Sequence, residues 1–377
     1  AWLRVRSDFL LISEQMQSVC CITQRGLGKA FIQQSIIELL IKTTTLHLPP
    51  PPHASLHCHL LFSSVFAENL LSHPCNVLRR QCQVHHHSAW YHLTPFTLFP
   101  VMYHMQSHQT IATLWKGIGS TFVVKGIGLA TEAAISEFTP CPREVNRHST
   151  LKKLGQHLIL KGYVSMQAST HVLSEIASEK PGLLDCVKEG FVRMSGLAGT
   201  QSTRLLPMWK LVVPTMSHGL SHYIIKSVAQ YTVLLAVRTE MQEDPPPVKS
   251  MYDRYFPELL ATFTGGLLAD MVLFPIETVL HRLHVQGTRT IIDNTDTGLG
   301  VVPINTRYEG FIDCFRSILY EEGFAGLYKG FGALMLQYTI HALILKLTKF
   351  LFEQLTDDFE GPRQRLEERG RADLKRG

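Results

Sequence analysis

Two stretches of this sequence that lie 201 residues apart carry the same unusual pattern. The first runs from His73 to Gln81 and the second from Phe274 to Arg282. Each has a proline near the end of an apolar run, a polar residue two positions later and basic residues after that. Each is followed by an aromatic–lysine–glycine triplet, at 115–117 and at 328–330. The separation equals two periods of roughly 100 residues, so a third copy is expected between them, and such repeats decide the architecture.

The composition favours membrane helices over a set of soluble domains. Apolar residues make up 45% of the chain and charged residues 18%, whereas soluble domains carry about 25% charged residues. The formal net charge of +5 suits contact with an anionic membrane surface. A membrane-spanning helix needs about 20 mostly apolar residues. We place the candidate spans at residues 60–80, 117–138, 151–178, 206–237, 256–281 and 330–354.

The repeated pattern resembles the signature of the mitochondrial carrier family. Carriers have three repeats, each a pair of membrane helices, with Pro-x-acid-x-x-base at a bend in every odd-numbered helix. A second motif, acid-Gly-x-x-x-x-aromatic-base-Gly, precedes the even-numbered helix, and residues 322–330 match it in full. The chain is most similar to a divergent branch of the family that resides in the outer mitochondrial membrane. That similarity is carried by residues 68–84, 92–96, 114–120, 135–145 and most of 256–349, with 281–296 as the most specific run.

The resemblance implies an all-α membrane protein, a six-helix bundle of three mitochondrial-carrier repeats with a degenerate second repeat. Residues 62–355 form the carrier-like domain, with repeats at about 62–145, 146–250 and 251–355. Ser174 stands where the proline of the second repeat is expected, so either this repeat has decayed or the chain has lost residues there. We expect residues 1–61 to be a non-family segment, disordered or misassigned, and residues 356–377 to be a charged solvated tail. A long polar connection is expected over residues 282–329, with a short surface helix near its end.

Most of the residues that gate a working carrier are missing. Asn76 stands where the first signature needs an acid, and Leu280 stands where the third needs a base. The second repeat offers neither, and the gate motif of the even-numbered helices has no match. One candidate gate pair remains, Arg79 with Glu277. The signature and kink residues are Pro74, Asn76, Arg79, Pro275, Glu277 and Arg282.

The two aromatic–lysine–glycine triplets are candidates for lipid-headgroup binding. A helix N-terminus exposes N–H donors that attract phosphate, and a lysine and an aromatic ring at headgroup depth would complete the site. In carriers these positions bind cardiolipin, so the resemblance implies mitochondrial membrane lipids as partners. A simple interfacial anchor is the alternative. The residues concerned are Trp115, Lys116, Gly117, Tyr328, Lys329 and Gly330.

Two features inside the predicted helices have both a structural and a functional interpretation. Small residues at 261, 265 and 269 form a stripe that would permit close helix packing in lipid. Ionisable residues inside spans are costly in lipid, so they either serve a function or pair with one another. These residues are Glu68, Lys125, Glu132, Asp270, Glu277 and Lys346.

The sequence supports no enzyme activity, no cofactor and no nucleic-acid binding, because it lacks the corresponding motifs. The run His85–His87 could suggest metal binding, but no carboxylate or cysteine cluster supports it, so we interpret it as a solvated loop. The resemblance implies residence in the outer mitochondrial membrane and an adaptor role in mitochondrial dynamics. It also implies mitochondrial fusion, fission and cristae-organising proteins as partners. The alternative is a solute or lipid transporter with atypical gates.

Overall fold

The computed structural model describes residues 54–139, 151–168, 205–243, 251–288, 291–347 and 350. The predictions for residues 1–53, for the middle proline region near Ser174 and for the charged tail after residue 355 lie outside these ranges. Within them the chain is mainly helical, as expected. The described helices are α1 (Ala54–Val84), α2 (Leu98–His108), α3 (Ile118–Phe138), α4 (Leu151–Ala168), α5 (Met208–Glu243), α6 (Met251–Val285), α7 (Phe311–Glu321) and α8 (Phe331–Leu347).

The long helices pack against one another in chain order. Helix α3 contacts α4, α4 contacts α5, α5 contacts α6, and α6 returns to contact α1. Helix α8 lies against α6, because the ring of Tyr338 contacts Phe263 and its hydroxyl donates to Asp270. The signature prolines Pro74 and Pro275 lie inside α1 and α6. The ends of α1 and α6 that follow these prolines come together at one end of the helical assembly, where Val84 packs with Val285.

The outward faces of the central helices are apolar. Helix α5 exposes Val213, Val228 and Leu235, and α6 exposes Leu268 and Val272. Among the described residues, Pro257–Val285 of α6 is the one helix that is both long and apolar enough to cross a bilayer by itself, and Phe331–Leu347 is apolar but shorter.

The small-residue stripe of α6 faces the interior. Ala261 and Ala269 are buried, and Gly265 lies directly against α5. A Cβ atom placed on Gly265 would lie 2.7 Å from the Cγ atom of Gln230 and 2.9 Å from the carbonyl oxygen of Lys226. The prediction that this stripe permits a close helix contact is therefore confirmed at Gly265.

The expectation of an all-α protein needs one correction, because the connection after α6 contains a β-hairpin. Strand β1 (Ile291–Asp293) pairs antiparallel with β2 (Val301–Pro303), with Ile292 opposite Val302. β-branched residues favour both strands. The turn uses Gly298 and Gly300, whose φ values of 72° and 76° suit glycine. The hairpin covers the joined ends of α1 and α6, since Ile292 packs with Val84 and Val285.

The α5–α6 contact generates a prediction. Gly265→Ala should lower the free energy of unfolding by about 1–3 kcal/mol, because the added methyl group overlaps α5 backbone and side-chain atoms. Gly126→Ala in α3 is the matched control, since no atom lies within 4 Å of a Cβ placed there. The control should be neutral or stabilising by up to about 1 kcal/mol. Thermal unfolding of the detergent-solubilised protein measures both, and equal behaviour of the two variants would contradict the close contact.

Candidate functional site

The two residues of the candidate gate pair meet between α1 and α6. Nη2 of Arg79 lies 3.2 Å from Oε1 of Glu277, and their side chains are 10% and 15% exposed. Nε2 of His281 lies 3.9 Å from the same carboxylate oxygen. Asn76, which stands at the acid position of the first signature, has a buried Oδ1 atom that accepts no hydrogen bond. The end of the assembly is thus crossed by one ion pair at the signature positions of the described repeats.

A second polar network joins three helices on the other side of Glu277. The carboxylate of Asp270 on α6 lies 2.8 Å from Nε2 of His222 on α5. Its second oxygen accepts a 2.7 Å hydrogen bond from the hydroxyl of Tyr338 on α8. Of these three residues only Asp270 stood out in the sequence. A histidine or tyrosine within an apolar helix gives no local sign that it faces a carboxylate on another helix.

The four remaining ionisable residues inside the predicted spans have different surroundings; they are Glu68, Lys125, Glu132 and Lys346. Lys161 on α4 donates a 2.6 Å hydrogen bond to Glu132 on α3. The ammonium group of Lys125 donates to the Oδ1 atom of Asn69, which joins α3 to α1. Lys346 is exposed near the end of α8. The structure does not describe the side chain of Glu68. Lys125 and Glu132 therefore take part in contacts between helices.

A buried three-residue cluster lies where α6 meets the turn before α8. The guanidinium group of Arg282 makes two hydrogen bonds to the carboxylate of Glu322, at 2.7 and 2.9 Å. Nζ of Lys329 lies 2.7 Å from the same carboxylate. Burial raises the pKa of Glu322, but the hydrogen bonds and charge of Arg282 outweigh it, so the pKa is lower than usual. Arg282, expected as a signature residue, thus belongs to this cluster and not to the gate.

This third-repeat cluster also holds the loop that follows α1. Nζ of Lys329 donates to the carbonyl oxygens of His85 and His86, at 3.0 and 3.1 Å. Nε of Arg282 donates a 2.8 Å hydrogen bond to the carbonyl oxygen of Gln83. The hydroxyl of Tyr91 donates to the carbonyl oxygen of Glu322 at 3.0 Å. The first and third repeats are therefore tied together through backbone carbonyl groups as well as through the gate pair.

A second buried cluster surrounds Asp293 of strand β1, whose side chain is fully buried. Its carboxylate forms an ion pair with Lys116 and accepts hydrogen bonds from Gln81 at 2.8 Å and Gln109 at 3.2 Å. Burial raises the pKa of Asp293, but the charge of Lys116 and the hydrogen bonds outweigh it, so the pKa is lower than usual. All three partners belong to the first repeat, whereas Asp293 belongs to the third.

The residues after Asp293 extend this contact with the first repeat. The hydroxyl of Thr295 lies 2.7 Å from Nδ1 of His85, and its carbonyl oxygen lies 2.9 Å from Nε2 of His92. The carboxylate of Asp296 accepts hydrogen bonds from the backbone N–H groups of Ala89 and Trp90. The interpretation of His85–His87 as a solvated loop is therefore wrong for His85, which is buried. Burial lowers its pKa, so its ring stays neutral at pH 7.

The two aromatic–lysine–glycine triplets have the same local structure, but their lysines do not face lipid. Gly117 and Gly330 adopt φ values of 73° and 80° immediately before α3 and α8. The side chains of Lys116 and Lys329 are 8% and 1% exposed and each is paired with a carboxylate. Their ammonium groups are therefore unavailable to a lipid phosphate in this structure. The indole of Trp115 donates to the carbonyl oxygen of Leu70. Lipid binding at the two helix starts stays a prediction.

Large aromatic side chains are exposed around this end of the assembly. Trp90 and Phe96 follow α1, Tyr103 lies on α2, and Tyr320 and Phe324 lie on and after α7, all more than half exposed. The opposite face of α2 is buried in a cluster with Leu78 of α1. Exposed aromatic rings beside the ends of membrane helices are typical of the bilayer interface. This surface is therefore suited to headgroup depth.

The chain is similar to known proteins over most of its length. The family model described as "Mitochondrial carrier protein" matches residues 252–357. The "Mitochondrial outer membrane protein SLC25A46" of Gallus gallus is 52% identical over 306 residues, which cover 78% of this chain and 75% of that protein. The proteins with the same name from Homo sapiens and Danio rerio are 51% and 50% identical, again over 78% of this chain, and 73% and 76% of their own lengths are covered.

The contact between Arg79 and Glu277 generates a second prediction. Arg79→Gln and Glu277→Gln should each lower the free energy of unfolding by roughly 3–5 kcal/mol, because each leaves the opposite charge buried without its partner. The exchanged variant, R79E/E277R, should recover part of the loss. Glu137→Gln, at an exposed position on α3, is the control and should change stability by no more than about 0.5 kcal/mol. Unchanged melting of both single variants would show that the pair contributes nothing.

Proposed function

Because this chain belongs to the mitochondrial carrier family, we propose that it uses the carrier fold as a fixed scaffold and does not exchange solutes. It is a protein of the outer mitochondrial membrane, like the relatives to which it is similar. In this proposal the described long helices belong to a six-helix bundle of three repeats with a degenerate second repeat. The scaffold would act as an adaptor in mitochondrial dynamics, in the balance of fission and fusion and in cristae and lipid homeostasis.

One observation carries this proposal: the end of the bundle that a carrier must open is held by buried contacts between the first and third repeats. Opening it would separate Arg79 from Glu277, Lys116 from Asp293, and Lys329 from the carbonyl groups after α1. A buried charge that loses its partner costs about 3–5 kcal/mol. A carrier offsets such a loss by forming a second set of gate pairs at its other end, and the sequence offers no match for that set.

The incomplete signature supports the same conclusion. A solute can drive alternating access only if it interacts differently with two states of the protein. In carriers the charged signature pairs are the contacts that form in one state and break in the other. Here Asn76 carries no charge, and Leu280 is a buried apolar residue. The first and third repeats therefore retain a single pair of this kind.

In the adaptor role, partners would bind the exposed surface of the protein. The partners we propose are mitochondrial fusion and fission proteins, cristae-organising proteins and membrane lipids, with cardiolipin among them. The exposed rings around Trp90 and Tyr103 are suited to a bilayer interface, which would keep this end of the protein at the membrane surface. A fixed scaffold at this depth can present its loops to a partner without a change of state.

Transport with atypical gates is the competing function, and one observation favours it. The network of Asp270, His222 and Tyr338 lies between three helices of the assembly. A polar group inside a membrane bundle often marks a substrate or proton path. The same three side chains also satisfy one another, as a purely structural network would.

Reconstitution in liposomes separates the two functions. The purified protein should show no saturable exchange of nucleotides, carboxylates or amino acids, whereas a known carrier reconstituted in parallel should exchange its substrate. Loss of the protein in cells should change mitochondrial shape or lipid content, and the wild-type chain should restore it. Robust exchange that Glu277→Gln abolishes would reverse the conclusion and assign a transporter function.

A further inference from the structure

The first and third repeats can be aligned residue by residue around their buried clusters. Gln81 lies seven residues after Pro74, and Arg282 lies seven residues after Pro275. Lys116 lies seven residues after Gln109, and Lys329 lies seven residues after Glu322. Gln81, Gln109 and Lys116 of the first repeat therefore correspond to Arg282, Glu322 and Lys329 of the third.

In the third repeat the central residue of this group is the acid. Glu322 accepts both hydrogen bonds from Arg282 and pairs with Lys329, so one carboxylate neutralises much of the charge of two buried bases. It comes from the same repeat as its two partners. The cluster therefore needs nothing from the rest of the protein to keep Lys329 paired.

In the first repeat the corresponding acid is absent. Gln109 stands at its position and carries no charge, although Lys116 is still present and still buried. A lysine that is buried without a carboxylate would lose its proton or destabilise the fold. The first repeat therefore needs a carboxylate from elsewhere in the chain.

We propose that Asp293 is the missing acid of the first repeat and that the hairpin 291–303 of the third repeat supplies it as an internal strap. The carboxylate of Asp293 contacts all three corresponding positions, with Lys116 as its ion-pair partner and Gln81 and Gln109 as donors. It therefore has the contacts that Glu322 has in the third repeat. In addition, it accepts a hydrogen bond from Gln109, the residue that stands at the acid position of the first repeat.

The rest of the hairpin fits this role. Thr295 and Asp296 bind the loop after α1, through His85 and the N–H groups of Ala89 and Trp90. The turn at Gly298 lies so close to α2 that an added Cβ atom would be 2.8 Å from the carbonyl oxygen of Val101. The strap therefore contacts the first repeat from the end of α1 to the turn before α3. Separation of the two repeats here would take Lys116 away from its carboxylate.

A charge-transplant experiment tests this assignment, and it stands whether or not the protein exchanges solutes. Asp293→Asn should lower the melting temperature of the detergent-solubilised full-length protein by roughly 5–10 °C. Adding Q109E to D293N should restore a large part of the loss, because it returns the acid to its own repeat. Adding Q106E instead places the same charge on the exposed face of α2 and should restore nothing. Glu309→Gln, at an exposed position beyond the hairpin, should melt like the wild type.

Each outcome decides the proposal. If D293N cannot be purified in folded form, recovery of folded D293N/Q109E supports the assignment, and failure to recover it overturns it. Wild-type melting of D293N, or equal rescue by Q106E and Q109E, also overturns it. A double-mutant cycle with Lys116→Met provides a second test. If Lys116 and Asp293 act as one unit, K116M/D293N should melt well above the temperature expected from adding the two single losses, and additive losses would contradict the pair.

Discussion

The structure depends on one requirement: an ammonium group that is buried at the end of a membrane bundle must meet a carboxylate there. Lys116 and Lys329 are both buried before the helices that they introduce, and each is paired with an acid. The acids come from different places, Glu322 from the turn just before Lys329 and Asp293 from a hairpin that crosses from another repeat. Because an unpaired buried charge is so costly, the pairing of Lys116 with Asp293 holds the hairpin against the first repeat. The hairpin in turn covers the joined ends of α1 and α6.

The buried clusters change how the contact between Arg79 and Glu277 is interpreted. In a working carrier the charged pairs of the three signatures alternate between formed and broken. Here the contact between Arg79 and Glu277 lies beside further links between the first and third repeats, such as the hydrogen bond from Arg282 to the carbonyl oxygen of Gln83. In the proposed function, these polar residues together stabilise one arrangement of the helices.

The sequence predicted a mainly helical chain, the meeting of Arg79 with Glu277 and the close contact at Gly265, because each depends on a local pattern or on a repeat spacing. It did not predict the hairpin or Asp293. A three-residue strand in a long polar connection has no periodicity, and Gln109 lies 184 residues from Asp293. The sequence also does not show which acid faces each lysine of the triplets. The equal spacing of Gln109 and Glu322 before their lysines was the available signal that the first repeat lacked an acid.

The magnitudes explain why a small solute would not open this end. Separating Lys116 from Asp293 and Arg79 from Glu277 would cost up to about 3–5 kcal/mol for each pair if the charges stayed buried, and less as water enters and solvates them. A solute that binds with a dissociation constant near 1 mM supplies only about 4 kcal/mol, and only the part of it that differs between two states can shift them. New charge pairs at the other end of the bundle would have to offset the rest of the opening cost, and the sequence has no gate motif that would supply them. In the proposed function, the hairpin therefore adds to the cost of the open state and favours a scaffold over an exchanger.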